Sequence, residues 1–124
     1  MAPRERILVV DDDANIRSTI ALVLDEEGYE VVQAKDGREA LTIVGPAEPA
    51  EPAAIILDLN MPVMDGATFY REMRARGMQI PVLILSAVNA VRVGNELGAN
   101  AALNKPFDID VLVSTLSRIV QPAR

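Results

Sequence analysis

Short apolar runs alternate along this chain with longer segments in which apolar residues recur at helical spacing. Each apolar run is bounded by turn-forming or charged residues and is too short for a helix. We therefore predict strands that are buried on both faces of a sheet. The predicted strands cover residues 7–10, 29–34, 55–58, 81–86 and 101–103.

Helices are predicted between and after these strands, at residues 15–27, 38–44, 67–76, 90–97 and 108–120. Strand and helix alternate five times, which predicts one doubly wound α/β domain over residues 1–124, with a parallel sheet and helices on both faces. Residues 45–52 contain three prolines and two glutamates, and we predict a long, solvated surface loop there.

The composition narrows the class of protein. Half of the residues are hydrophobic but only 3% are aromatic, so the core must be aliphatic. The net charge of −6 argues against a surface that binds nucleic acid directly. The absence of Cys and His excludes thiolate and imidazole catalysis and His-ligated zinc. No apolar run approaches the roughly 20 residues of a membrane span, so we expect a cytoplasmic protein without membrane contact.

Chemically reactive residues stand where the predicted strands end. Asp11 and Asp12 follow the first strand, Asp58 ends the third, Ser86 ends the fourth, and Lys105 follows the fifth. Right-handed crossovers bring these ends to one edge of the sheet. Crowded carboxylates need a cation, and oxygen ligands favour Mg²⁺. Together with a hydroxyl and an ammonium, they predict a site for a phosphoryl group.

Each of these residues also has an ordinary structural interpretation. Taken alone, Asp11 and Asp12 are as readily explained as helix caps or solvated charges. It is their convergence with Asp58 that favours a cation site. By contrast, Asp13 and Asp65 are predicted to be helix caps and not ligands.

Four motifs in order resemble a known family. They are Val10-Asp11-Asp12, the segment from Asp58 to Gly66, Leu85-Ser86-Ala87, and Lys105-Pro106-Phe107. Over essentially its whole length, the chain resembles the receiver domain of two-component response regulators, the CheY-like superfamily. The resemblance implies a flavodoxin-like fold, with a five-stranded parallel sheet in the order 2-1-3-4-5.

The resemblance also implies a chemistry. Asp58 would accept a phosphoryl group from a phosphohistidine on a sensor histidine kinase or a histidine phosphotransfer protein. Lys105 would pair with the phosphoryl oxygens, and Ser86 would form a hydrogen bond with the phosphorylated side chain. The bond between Lys105 and Pro106 would be cis.

A magnesium site is implied by the same resemblance. Asp12, Asp58 and the backbone carbonyl of Asn60 would ligate Mg²⁺, and Asp11 would act mainly through water.

Phosphorylation would switch the binding of a downstream protein target, or the phosphoryl group would be passed on in a phosphorelay. The resemblance also allows a dimer that forms on phosphorylation. Since such a protein modifies itself and turns over no metabolite, we do not expect an enzyme in the ordinary sense. The chain ends soon after the last predicted helix, so we expect either a stand-alone receiver or a receiver from a longer protein.

Two other functions are compatible with parts of the pattern. An aspartate-nucleophile, Mg²⁺-dependent phosphohydrolase expects two acids two residues apart on the first strand, a spacing that Asp11 and Asp13 meet only superficially. A receiver that acts as a phosphorylation-independent interaction module is the other alternative. The complete set of Asp58, Ser86 and Lys105 argues against it.

The chain departs from the family pattern near its fifth strand. Ala102 stands where the family usually has Tyr or Phe, and the segment from Ser86 to Lys105 is shorter than usual by about one helical turn. We therefore expect a truncated or rearranged fourth-helix region. We also expect weak coupling from the acceptor site to the face built from helix 4, strand 5 and helix 5.

Overall fold

Strands and helices alternate throughout the computed structural model, which describes residues 4–44, 51–87 and 89–120. In chain order these elements are β1 (Arg6–Val10), α1 (Ala14–Glu26), β2 (Glu30–Ala34), α2 (Gly37–Ile43), β3 (Ala54–Asp58), α3 (Gly66–Ala75), β4 (Val82–Ser86), α4 (Ala90–Leu97), β5 (Ala101–Asn104) and α5 (Ile109–Ile119). Every predicted boundary lies within one residue of the observed one. Most of the proline-rich loop, residues 45–50, lies outside the described residues.

All five strands form one parallel sheet in the order β2-β1-β3-β4-β5, which confirms the predicted doubly wound, flavodoxin-like fold. Because every neighbouring pair is parallel, the carboxyl ends of β1, β3, β4 and β5 lie at the same edge. Within this register Asp58 is paired with Leu85, and Ser86 with Asn104.

The sheet is covered on both faces, and alternate residues of its strands enter two different hydrophobic clusters. Leu8 and Val10 of β1 pack in a cluster with side chains of α2, α3 and α4. Ile7 and Val9 pack in a second cluster with side chains of α1 and α5. Burial on both sides explains why the central strands are continuous apolar runs.

Aspartate side chains cap the helices that follow the first and third strands. The carboxylate of Asp13 accepts hydrogen bonds from the backbone N–H groups of Asn15 and Ile16. The carboxylate of Asp65 accepts one from the N–H of Thr68 at 2.8 Å. Both predicted caps are confirmed. No helix in the described ranges has the length and apolar content that a membrane crossing requires.

The start of α3 lies directly on the end of β3. The N–H of Gly66 donates to the carbonyl oxygen of Leu59 at 3.0 Å. A Cβ at position 66 would lie 2.8 Å from the Cα of Leu59 and closer still to the carbonyl oxygen of Asp58. Glycine therefore allows α3 to begin against the backbone of the candidate acceptor residue.

Gly66→Ala should destabilise the fold by roughly 3 kcal/mol, because the added methyl group meets backbone atoms that cannot rotate away. The matched control is Gly77→Ala. Gly77 has a left-handed φ of 82° and open space around it, so that variant bears only the conformational cost of about 1 kcal/mol. Urea denaturation of both variants measures the difference. Equal losses would contradict the steric explanation.

Candidate functional site

Three carboxylates converge at the edge of the sheet where the strands end. Asp11 and Asp12 follow β1, Asp58 ends β3, and one oxygen from each lies within 4.8 Å of the others. The side chains of Asp11 and Asp58 are only 2% and 4% exposed, whereas Asp12 is exposed. The cluster therefore has a buried base and an open side.

Lys105 provides the positive charge at this cluster. Its Nζ lies 2.8 Å from Oδ2 of Asp11 and 3.5 Å from Oδ1 of Asp58. The peptide bond between Lys105 and Pro106 is cis, as predicted. The lysine thus reaches from the end of β5 across β4 to carboxylates at the ends of β3 and β1.

Backbone and side-chain donors orient the buried groups. The N–H of Asp13 donates to Oδ1 of Asp11 at 2.9 Å, and the N–H of Asn60 donates to Oδ1 of Asp58 at 3.3 Å. The Asn60 side-chain amide donates to Oγ of Ser86 at 3.5 Å. Ser86 is 1% exposed, so its hydroxyl lies inside the site. The structure thus brings together all the residues that the sequence singled out.

The electrostatics of the cluster disfavour a charge on Asp58. Burial raises the pKa of Asp58, and the nearby Asp11 carboxylate raises it further. Attraction to Lys105 and the hydrogen bond from Asn60 lower the pKa but do not cancel the rise. Burial by itself lowers the pKa of Lys105. The hydrogen bond and ion pair with Asp11, and the attraction and hydrogen bond to Asp58, outweigh burial, so the pKa of Lys105 is raised.

The donor set fits a hard divalent cation. The three carboxylates are oxygen ligands, and when ionised they carry two more negative charges than the Lys105 ammonium offsets. Mg²⁺ has this charge, prefers oxygen ligands and keeps several water molecules, which the exposed side at Asp12 would allow. The acidic cluster is therefore compatible with Mg²⁺, which receiver domains typically bind.

A cleft of about 730 Å³ opens beside the cluster, on the side of Asp12. Asp12, Asn60 and Ser86 line its polar side, while Met61 and Val93 contribute apolar surface. The cleft lies between the segment after β3 and the start of α4. A cleft of this size admits a side chain or small molecule carrying a reactive group.

The loop between β3 and α3 has an unusual backbone next to this cleft. Val63 has a left-handed φ of 68° and is 70% exposed, although β-branched residues rarely adopt this conformation. The carbonyl oxygen of Met64 accepts a hydrogen bond from the N–H of Gly37 at 3.1 Å. The start of α2 therefore holds the loop that follows the candidate acceptor.

Two side chains that the sequence analysis did not single out also contact this region. Nη1 of Arg17 donates to the carbonyl oxygen of Asp11 at 2.7 Å. Oδ1 of Asn104 accepts from the N–H of Ala90 at 3.1 Å. The sequence gives little indication of these contacts. Arg17 is an ordinary charged residue of a helix, and Asn104 is an ordinary polar residue at a strand end.

The phosphohydrolase alternative is not favoured. The carboxylate of Asp13, which would be its second acid, is used to cap α1. That carboxylate accepts hydrogen bonds from the N–H groups of Asn15 and Ile16, so it is directed toward the helix.

Comparisons with known proteins agree with this geometry. The family model of the response regulator receiver domain matches residues 7–117. The alkaline phosphatase synthesis transcriptional regulatory protein SphR of Synechococcus elongatus is 41% identical over 122 residues, which cover 91% of this chain and 48% of SphR. The transcriptional regulatory protein PrrA of Mycobacterium tuberculosis is 41% identical over 119 residues, which cover 94% of this chain and 50% of PrrA. The chain thus spans about half the length of these relatives.

Solved structures share the fold. The chemotaxis protein CheY4 of Vibrio cholerae superposes with a TM-score of 0.83 at 36% identity, over 95% of this chain and 100% of CheY4. The response regulator TrrA of Thermotoga maritima, solved in complex with Mg(2+)-BeF, gives a TM-score of 0.80 at 32% identity, over 94% of this chain and 99% of TrrA. Since the family match covers most of the chain and curated relatives share 41% of its residues, the chain belongs to the response regulator receiver domains, the signalling modules of two-component systems.

Proposed function

We propose that Asp58 is the residue of this receiver that becomes phosphorylated. The donor is a phosphohistidine of a sensor histidine kinase or of a histidine phosphotransfer protein. The observation that carries the proposal is the position of the Lys105 ammonium, within 3.5 Å of an Asp58 carboxylate that is 4% exposed. A buried carboxylate beside a fixed cation, with the following residues Leu59 and Asn60 lining an open cleft, has the features of a nucleophile for phosphoryl transfer.

The reaction transfers the phosphoryl group from nitrogen to oxygen. A carboxylate oxygen of Asp58 attacks the phosphorus atom, the phosphorus–nitrogen bond of the donor breaks, and its electron pair returns to the imidazole. The product is an acyl phosphate on Asp58. The cleft lined by Asp12, Asn60 and Ser86 is large enough to admit an imidazole.

Lys105 and Ser86 stabilise the product in this proposal. The Lys105 ammonium already lies between two carboxylates, so it can pair with a phosphoryl oxygen without a large movement. Ser86 supplies a buried hydroxyl that can donate to another phosphoryl oxygen.

Asp12, Asp58 and the carbonyl of Asn60 would hold Mg²⁺, with Asp11 acting through water. When bound, the ion neutralises negative charge on the carboxylates and on the incoming phosphoryl group. The charge balance supports this assignment, because three ionised carboxylates face only one ammonium, that of Lys105.

The proposal also covers the domain's cellular location and its partners. Residues 1–124 form one receiver domain in the cytoplasm, where ATP can supply the phosphate of a histidine kinase. The domain makes no direct contact with nucleic acid or membrane and is not a metabolic enzyme. Phosphorylation controls the binding of a downstream protein, which includes dimerisation with a second copy, or the phosphoryl group moves on in a phosphorelay.

Exposure to acetyl phosphate and Mg²⁺ should add one phosphoryl group to the wild-type protein, and Asp58→Asn should abolish this addition. Intact-mass spectrometry measures the uptake, and the modification should be labile in alkali, as an acyl phosphate is. Asp108→Asn is the matched control, since Asp108 caps α5 and does not line the cleft, so this variant should be labelled as the wild type is. Equal and equally labile labelling of Asp58→Asn would disprove the assignment. Many turnovers of an aryl phosphate would instead indicate a hydrolase.

Asp12→Ala should weaken Mg²⁺ binding at least about tenfold, because it removes a charged ligand from the open side of the site. Asp13→Ala should retain nearly full affinity while losing about 1 kcal/mol of stability through its cap. Calorimetric titration measures the affinity, and Mg²⁺ should raise the melting temperature only in variants that bind it. Wild-type affinity in Asp12→Ala would contradict the ligand assignment.

Asp58→Asn should raise the free energy of unfolding of the metal-free protein by about 1 kcal/mol at neutral pH. The pKa of Asp58 is raised in the folded state, so its ionisation destabilises the fold as the pH rises through that pKa, and the penalty disappears below the ordinary value of 3.8. Urea denaturation at neutral pH and near pH 4 should show the gain shrinking in acid.

The control for this measurement is Asp65→Asn. The N–H of Thr68 holds the pKa of Asp65 below its usual value, so loss of this charge should not stabilise the fold. A loss of stability in Asp58→Asn would show that Lys105 outweighs burial.

A further inference from the structure

The first turn of α4 is capped from another element of the fold. α1, α2, α3 and α5 each begin after an aspartate whose side chain accepts hydrogen bonds from the helix it precedes. Before α4 stands Asn89, which has a left-handed φ of 59° and forms no such side-chain bond. Instead, the N–H of Ala90 donates to Oδ1 of Asn104, the last residue of β5.

The end of β5 that provides this cap also belongs to the acceptor site. Asn104 is paired with Ser86 in the sheet and directly precedes Lys105. The N–H of Lys105 donates to the carbonyl oxygen of Ser86 at 2.8 Å. The backbone of Asn104 is therefore fixed beside two residues of the acceptor site, while its side chain holds α4.

α4 lies directly against β5, with small residues between them. A Cβ at Gly94 would lie 3.0 Å from the Cβ of Ala102. Even a methyl group at position 94 would therefore press against Ala102, so the helix lies very close to the strand here. Asn89 and Val93, at the start of the same helix, line the cleft together with Ser86 of the acceptor site. A small movement of the backbone at the end of β5 would therefore be transmitted to α4 through direct contacts.

We propose that Asn104 is a positioning residue that couples the acceptor site to the first turn of α4. The inference rests on the proposed phosphorylation of Asp58. When a phosphoryl group becomes the partner of Lys105 and Ser86, the backbone between them adjusts, and the Asn104 side chain transmits that adjustment to the N–H of Ala90. This route uses a hydrogen bond in place of a ring at Ala102. It predicts coupling to α4, whereas the sequence alone led us to expect weak coupling, and the test below decides between the two.

The test is amide hydrogen exchange on the full chain, with and without Mg²⁺ and beryllofluoride. In the wild type, the analogue should change the exchange of the amides of residues 90–93. In Asn104→Ala, these amides should exchange about fivefold faster without the analogue, the factor that a helix cap of ordinary strength contributes. The dependence on the analogue should be lost.

Three further variants separate coupling from simple destabilisation. Asn104→Asp keeps an oxygen acceptor and should retain the response. Asn104→Gln moves the acceptor by one methylene and should lose the response, which provides a second test if Asn104→Ala does not fold. Asn100→Ala removes a similar bond, from the Val82 N–H to Oδ1 at 3.0 Å, at the other end of β5 and should respond as the wild type does.

Intact mass after acetyl phosphate treatment distinguishes the two proposals. Lack of uptake by the wild type would overturn the proposed function and this inference with it. Normal uptake with an unchanged response in Asn104→Ala, or with no response of α4 in the wild type, would overturn only the role of Asn104. Loss of the response in Asn100→Ala as well would also overturn it, because a general loosening of β5 would then be the cause.

Discussion

The ion pairs of Lys105 with Asp11 and Asp58 are the interactions on which the rest of the site depends. Two carboxylates that are almost fully buried repel each other strongly in a medium of low polarity. Burial raises the pKa of Asp58 and the Asp11 carboxylate raises it further, while the Lys105 ammonium lowers it without cancelling the rise. When its carboxylates are ionised, the site therefore keeps an excess of negative charge after Lys105 is counted. Such an excess of negative charge favours a divalent cation, and an anionic phosphoryl group would need that cation together with Lys105 in order to approach.

Those ion pairs also tie the site to the whole sheet. Lys105 follows β5, whereas Asp11 follows β1, and two strands lie between them in the sheet. The distances across the site are correct only when each intervening pair, from β1 with β3 to β4 with β5, has its observed register. A receiver of this kind has no separable active-site segment. Its chemistry is a property of four strand ends held in alignment.

The sequence predicts the architecture and most of the site because both depend on local signals. Apolar runs bounded by turn residues set the strands, and Asp11, Asp58, Ser86 and Lys105 stand at strand ends that the topology must bring together. The cap that Asn104 gives to α4 is different. It joins residues 14 positions apart across two elements, and the same asparagine would look unremarkable in an ordinary turn. Whether a polar side chain at a strand end faces solvent or a neighbouring helix depends on tertiary packing, which periodicity does not describe.

The division of the interior into two clusters has a consequence for how such a domain can change over time. Alternate residues of one strand contribute to clusters on opposite faces, with α1 and α5 on one side and α2, α3 and α4 on the other. Substitutions in separate clusters combine almost additively, since they share no contact. A lineage can therefore remodel one helical layer, for instance to recognise a different protein, while the other layer keeps the strand ends aligned. The sheet thus separates the helical layer that can change from the layer that keeps the acceptor site intact.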